Sequence, residues 1–90
     1  MRAGEQQPMV QDWLSAAREG QVEALYNLGL VYATGQGVKV DLIEAHKWFN
    51  LAAMRGSADA RDCRASLAQE MRPDEIAEAQ RQAREWLGTH

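Results

Sequence analysis

The nine residues "AAREGQVEA" (16–24) recur as "AAMRGSADA" (52–60), sharing the pattern A-A-x-x-G-x-x-x-A at an offset of 36 residues. Trp13 and Phe49 are related by the same offset, so an aromatic residue precedes each copy. A repeat of this length is typical of stacked helix pairs, because one pair cannot bury its apolar face without a neighbour. The repeat therefore predicts an all-α protein built as a helical stack.

The spacing of apolar residues in steps of three and four predicts about five helices around this repeat. No window alternates apolar with polar residues, and β-branched residues are sparse, so no strand is expected. Glycines or proline stand at the helix ends, where they stop helices. The predicted helices cover residues 9–20, 22–35, 41–56, 57–72 and 73–87.

The loop "YATGQGVKVD" (32–41) contains two glycines, which raises the question of phosphate binding. A phosphate-binding glycine loop follows a strand and carries a lysine before serine or threonine. Here a helix precedes the loop, and Lys39 has no such successor. We therefore interpret the loop as a helix end, in which Gly35 is left-handed, Gly37 reverses the chain and Val38 fills the crevice between the paired helices.

Polar residues suited to helix starts follow each predicted break. Asp41 precedes Glu44 by three residues, so we expect its carboxylate to accept an exposed amide while Glu44 reaches back to the backbone. Ser57 is the predicted N-cap of the fourth helix. Pro73 and the two acidic residues after it suit the first turn of the fifth, because the positive end of the helix dipole favours acids.

Length and composition restrict the class of protein. The 90 residues are enough for one small core and too few for two. The net charge of -3 gives no basic surface for nucleic acid or an anionic membrane. Cys63 is the sole cysteine, which fits a reducing compartment, and no apolar run has the length of a signal peptide or a membrane span. We therefore expect a soluble cytoplasmic domain with neither nucleic acid nor membrane as partner.

The central part of the chain carries a set of glycine, small and aromatic residues at fixed spacing: Ala24, Leu28, Gly29, Tyr32, Gly35, Gly37, Val38, Asp41, Ala45, Trp48, Phe49, Ala52, Ala53 and Gly56. This pattern resembles the Sel1-like repeat, a relative of the tetratricopeptide repeat in which a glycine-containing loop joins two antiparallel helices. The stretch "RPDEIAEAQRQAREWL" (72–87) is similar to the final helix of many bacterial members of this family. The resemblance implies antiparallel pairs stacked as a short right-handed α-solenoid.

The resemblance also divides the chain. The second copy departs from the pattern, because Leu28, Gly29 and Tyr32 correspond to arginine and alanines and no glycine loop follows. The second copy is therefore expected to form a terminal cap. The predicted parts are a disordered N-terminus (1–8), a single domain (9–87) made of a partial repeat (9–20), a full repeat (21–56) and cap helices (57–87), and a tail (88–90).

Inside this stack, Gly29 opposite Ala45 is expected to let two helix backbones approach closely. Trp13, Trp48 and Trp86 fall on apolar stripes and are expected in the core. If Trp13 or Trp86 is exposed at an end of the stack, the exposed ring marks a surface for weak homodimer formation.

Residues with catalytic or metal-binding chemistry are isolated in the sequence. His46 and His90 have no histidine or cysteine three or four residues on, so we expect a partly exposed His46, no metal site and no cofactor. Cys63 has no nearby base that could activate it as a nucleophile. The acidic residues between Asp59 and Glu78 could suggest a pair of catalytic carboxylates, but we interpret them as a solvated helix face. The expectation is a protein that is not an enzyme.

The resemblance places the first helix of each pair on the inner face of the stack, where related repeats bind peptides. Basic residues and asparagines clamp a terminal carboxylate there in relatives, whereas acidic residues predominate here, so a basic or amphipathic peptide or helix segment fits better. A merely solvated face is the alternative. The inner-face residues are Glu23, Tyr26, Asn27, Leu30 and Ala33, followed one repeat later by Asp59, Asp62, Cys63 and Ser66.

The predicted function is thus a protein-protein interaction module, an adaptor or scaffold. Tyr26 and Asn27 are the candidates for peptide contact, and Glu23, Asp59 and Asp62 are the candidates for charge selection. The alternative is a small cell-wall-associated hydrolase or glycan-binding module, since some proteins of similar sequence act on the cell wall. Those secreted proteins usually have paired cysteines, which this chain lacks.

Overall fold

The computed structural model describes residues 9–89, and every regular element in that range is an α-helix. The predicted all-α stack is confirmed. The disorder predicted for residues 1–8 and the role of His90 lie outside the described residues. The helices are α1 (Met9–Arg18), α2 (Val22–Thr34), α3 (Leu42–Met54), α4 (Ala58–Ala68) and α5 (Pro73–Thr89).

The two-glycine loop ends α2, as its sequence predicts. Gly35 has a φ of 77°, and its N–H donates to the Val31 carbonyl at 2.8 Å. The next amide, that of Gln36, donates to the same oxygen at 3.1 Å, so the Val31 carbonyl accepts two hydrogen bonds at the helix end. Gly37 also has a φ of 77° and turns the chain towards α3, while Val38 is half-buried.

Asp41 caps α3, but only half of the expected capping box forms. Its Oδ1 accepts a hydrogen bond from the Glu44 N–H at 3.0 Å. The Asp41 N–H donates instead to the Tyr32 carbonyl at 2.9 Å, because that oxygen has no acceptor role left inside α2. The Glu44 carboxylate is therefore free to accept from the Trp48 indole at 3.0 Å and to pair with Lys47 at 3.0 Å.

The core lies where α3 packs against the other helices. Trp48 is 1% exposed, and its indole meets Trp86 edge-to-face, with ring centroids 4.8 Å apart. Trp13 and Trp86 are half-buried against this core. Neither is exposed, which removes the reason for expecting a weak homodimer at a stack end. The largest fully buried side chains are Trp48, Phe49, Leu25, Leu28 and Val31.

The close approach at Gly29 is real, and the nearest side chain is that of Phe49. A Cβ at this position would lie 2.5 Å from Cδ1 and Cε1 of the Phe49 ring. Ala45, the predicted partner, is fully buried, but the three nearest atoms all belong to Phe49. The glycine therefore makes room for an aromatic ring of α3.

The helices after the repeat depart from a regular pair. α5 packs along α3 and makes little contact with α4. Because α4 packs mainly on α3, Ala60 is its one buried residue among those described, and Ala65 is exposed. Leu87 of α5 is 43% exposed.

The outer face of α5 is polar and closes the stack. Arg81 pairs with Glu78 at 2.6 Å and with Glu85 at 2.8 Å, forming a ladder along the solvent side. The helix continues through residues 88 and 89, which the sequence analysis placed in a tail. In its last turn the Thr89 hydroxyl donates to the Glu85 and Trp86 carbonyls, which prolongs the helix. None of the helices described here is long and apolar enough to cross a membrane.

His46 is buried, which corrects the prediction of a partly exposed side chain. It is 2% exposed, and its Nδ1 has no hydrogen-bond partner in residues 9–89. Burial lowers the pKa of His46 below its ordinary value, and the positive charge of Arg64 lowers it further. Arg64 itself donates to Asn50 at 2.6 Å, which holds α4 against α3 beside the imidazole.

We expect the domain to lose stability as the pH falls below about 6.5, the ordinary pKa of histidine. Because the folded-state pKa of His46 is lower than the unfolded one, the unfolded chain binds more protons in this window. The loss levels off once the pH is below the folded-state pKa. Urea unfolding from about pH 7.5 to about pH 5 measures it. A His46→Gln variant should show a smaller pH dependence, and an equal slope in both proteins would contradict the assignment to His46.

Candidate functional site

An open groove runs between α2 and α4, and we call it the α2–α4 groove. The first turns of both helices line one end, and their last turns line the other, so the two helices run in the same direction along it. The N-terminal half is lined by Val22, Glu23, Tyr26, Arg55, Gly56, Ser57, Ala58 and Asp59. The C-terminal half is lined by Leu30, Ala33, Phe49, Asp62, Cys63, Ser66, Leu67 and Glu70.

The floor of the groove comes from α3, which lies behind α2 and α4. The Phe49 ring rests on the bare backbone of Gly29 and reaches the C-terminal half of the groove. Its other neighbour is Tyr26, with ring centroids 5.9 Å apart at an interplanar angle of 49°. A side chain at position 29 would displace this ring, so the same glycine controls both the core packing and the shape of the groove.

Tyr26 of α2 lines the N-terminal half of the groove, and Cys63 of α4 lines the C-terminal half. Burial raises the pKa of the Tyr26 phenol, and Cys63 and Asp59 raise it further. The hydroxyl is therefore protonated at neutral pH and cannot act as a base towards the thiol. Tyr26 and Cys63 do not resemble an activated nucleophile with its base.

Four carboxylates flank the groove, and none of them has an ion-pair partner in residues 9–89. All four side chains are exposed. The acids of α5 differ, since each of them is paired with Arg72 or Arg81. Arg55 is the sole basic residue among those that line the groove, which therefore carries net negative charge. The four are Glu23, Asp59, Asp62 and Glu70.

The structure places most of the predicted peptide-binding residues on this groove. Glu23, Tyr26 and Asp59 line its N-terminal half, and Leu30 and Asp62 line its C-terminal half. Asn27 is different: it is half-buried and lines neither half. Asn27 follows Tyr26 along α2, and each step along a helix rotates the side-chain direction by about 100°, so Asn27 does not share the direction of Tyr26.

Sequence reasoning missed eight residues that line the groove: Val22, Arg55, Gly56, Ser57 and Ala58 in its N-terminal half, and Phe49, Leu67 and Glu70 in its C-terminal half. Phe49 was not among the predicted inner-face residues, because nothing in its own helix indicates that it reaches an opening between two others. Leu67 and Glu70 continue the helical spacing of Asp59, Asp62 and Ser66, and that spacing was the signal that could have found them. Among residues 9–89, no three side chains of His, Cys, Asp or Glu stand close enough together to hold a metal ion.

The model of the Sel1 repeat family matches residues 22–57, which run from the start of α2 to the N-cap of α4. Residues 22–57 therefore form a Sel1 repeat. The matched repeat contributes α2, the glycine loop and α3, and thus one wall and the floor of the groove. Sel1 repeats generally mediate protein-protein interactions and are typically non-catalytic.

This Sel1-like chain is also similar to a curated protein. It is 34% identical over 84 residues to the alginate biosynthesis protein AlgK of Azotobacter vinelandii. The match covers 87% of this chain and 18% of that protein. The chain therefore spans less than a fifth of the length of this relative.

Proposed function

We propose that this chain is a non-catalytic protein-interaction module whose α2–α4 groove binds a basic amphipathic segment of a partner protein. The observation that carries the proposal is an apolar floor flanked by carboxylates that have no ion-pair partner in the described residues. An amphipathic helix buries its apolar face in such a groove, and lysine or arginine on its flanks meets the rim. Complementary charge adds specificity and speeds association.

Glycan binding, the alternative, has weaker support. A second open hollow between α3 and α5 does contain Trp86, Lys47 and Arg81, a combination suited to an anionic sugar. Both cations are already engaged, however: Lys47 pairs with Glu44 at 3.0 Å, and Arg81 pairs with two glutamates. A sugar carboxylate would have to displace these pairs. Given the similarity to an alginate biosynthesis protein, we propose that the protein partner works in polysaccharide production.

Two arginine substitutions on neighbouring exposed positions of α4 test the groove. Ser66 lines its C-terminal half, whereas Ala65 lines neither half. The probe is a fluorescent synthetic peptide of about twelve residues, three helical turns, with leucine and lysine at helical spacing. We expect Ser66→Arg to weaken binding about tenfold or more in fluorescence anisotropy, because it fills the groove and places like charges together.

The Ala65→Arg variant is the matched control, since it adds the same charge to the same helix. Its affinity for the peptide should stay within about twofold of the parent protein. A second peptide with glutamate in place of lysine should bind poorly to both. Equal weakening by the two arginines, or equal affinity for the two peptides, would rule out a charge-selective groove.

A further inference from the structure

The N-terminal half of the α2–α4 groove carries little net charge despite its two carboxylates. Because α2 and α4 are parallel, the positive ends of both helix dipoles point into this half. Glu23 and Asp59 lie in the first turns of α2 and α4, where a carboxylate offsets the positive helix end. Arg55 lines the same half and offsets them further.

The C-terminal half is where negative charge accumulates. Both helices end there, and neither has a basic residue in its last turn. Asp62 and Glu70 add their charges to these negative helix ends, and no lysine or arginine lines this half. The charges of helices and side chains therefore add here, whereas they cancel in the other half.

The same half contains the apolar floor. Leu30, Phe49 and Leu67 surround a hollow of about 310 Å³, with Asp62 and Glu70 at its rim. Leu30 and Leu67 are half-buried, so each leaves apolar surface that an incoming side chain can cover. A partner with only charged side chains here would leave the apolar surface exposed to water. A partner with only apolar side chains would remove water from the carboxylates without giving them an ion pair.

We infer that the C-terminal half is the anchor pocket of the groove, taking a large apolar side chain whose neighbour one helical turn away is lysine or arginine. Asp62 and Glu70, rather than Glu23 and Asp59, select that cation. The inference rests on the proposed function, because it assigns specificity within the same groove. It also gives the bound segment a polarity, with its positive end at the last turns of α2 and α4.

The position of the two rim acids supports a binding role over a structural one. Glu70 follows the end of α4, where the negative end of the helix dipole repels a carboxylate. Neither Asp62 nor Glu70 forms an ion pair or caps a helix in the part of the chain that the structure describes. Glu23 and Asp59, by contrast, have a structural purpose at helix starts.

Two double variants with equal charge change test the inference with the lysine-leucine peptide described above. Asp62→Asn/Glu70→Gln should weaken binding by about 3- to 30-fold at low salt, the range expected for two partly exposed ion pairs. Glu23→Gln/Asp59→Asn, which removes the same two charges from the other half, should weaken binding by a clearly smaller factor, because the helix dipoles and Arg55 already offset those carboxylates. The loss in the first variant should shrink as salt is added, because exposed ion pairs are screened.

Thermal midpoints give a second readout that moves the opposite way. Glu23→Gln/Asp59→Asn should lower the midpoint, because it removes acids from positive helix ends, and Asp62→Asn/Glu70→Gln should not. Equal weakening of peptide binding by both double variants would overturn the inference while leaving the groove intact. Retained binding in Ser66→Arg would instead remove the groove itself, so the two failures are distinguishable.

Discussion

Replacing Trp48 with alanine is expected to lower the free energy of unfolding by about 3 to 5 kcal/mol. The indole is 1% exposed, its edge packs against Trp86 and its N–H donates to Glu44. Truncation removes the apolar contacts and leaves a cavity. The surrounding helices are held by their other contacts, so they can fill it only in part. Since folded domains have total stabilities of about 5 to 15 kcal/mol, the variant should lose a large share of its stability.

Urea unfolding followed by far-ultraviolet circular dichroism measures this change. Trp48→Phe should lower the free energy of unfolding by less. The smaller ring keeps part of the packing, although the hydrogen bond to Glu44 is lost. Trp86→Ala is the matched truncation on the other side of the ring contact, and its half-buried side chain predicts a smaller loss. A larger loss at Trp86 than at Trp48 would be incompatible with the core described here.

Gly29→Ala is expected to destabilise the domain by about 1 to 3 kcal/mol, even though alanine is the better helix former. The new methyl carbon would lie 2.5 Å from two ring carbons of Phe49, which is itself 2% exposed and has little room to retreat. The overpacking should exceed the gain of about 1 kcal/mol in helix propensity. The ring also forms the floor of the groove, so peptide affinity should fall together with stability.

Gly88→Ala provides the matched control for this glycine. Gly88 is also helical, but a Cβ there would meet nothing within 4 Å, so alanine should be neutral or slightly stabilising. A second test combines Gly29→Ala with Phe49→Leu, which should be less destabilising than the sum of the single changes because the clash is relieved. Strict additivity of the two changes would show that Gly29 and Phe49 do not interact.

Local features of this protein were predictable because they depend on neighbouring residues. Gly35 ends α2 in a left-handed conformation, and Asp41 and Ser57 accept the first amides of α3 and α4 as expected. Most of the inner-face residues do line the groove: the resemblance assigns the first helix of each pair to that face, and helical spacing places Glu23, Tyr26 and Leu30 on one side of α2. The location of the groove follows from these regularities and from the resemblance to a repeat.

Contacts between distant parts of the chain were less predictable. The burial of His46 depends on α4 covering α3, and the second half of the capping box at Glu44 fails because Tyr32 supplies a competing carbonyl. The placement of Asn27 off the groove depends on the rotation of α2 against its neighbours. Such features are set by which groups meet across the stack, and periodicity along one helix carries no information about them.

The sequence by itself determined that the chain forms helices, where each helix begins and that successive helices stack, because backbone conformation and amphipathic spacing are local properties. Only the tertiary structure decided that Phe49 fills the space left by Gly29 and reaches the groove. It also decided which carboxylates share the groove with two parallel helix ends. Close packing and electrostatic fields depend on three-dimensional distance, which a single sequence does not specify.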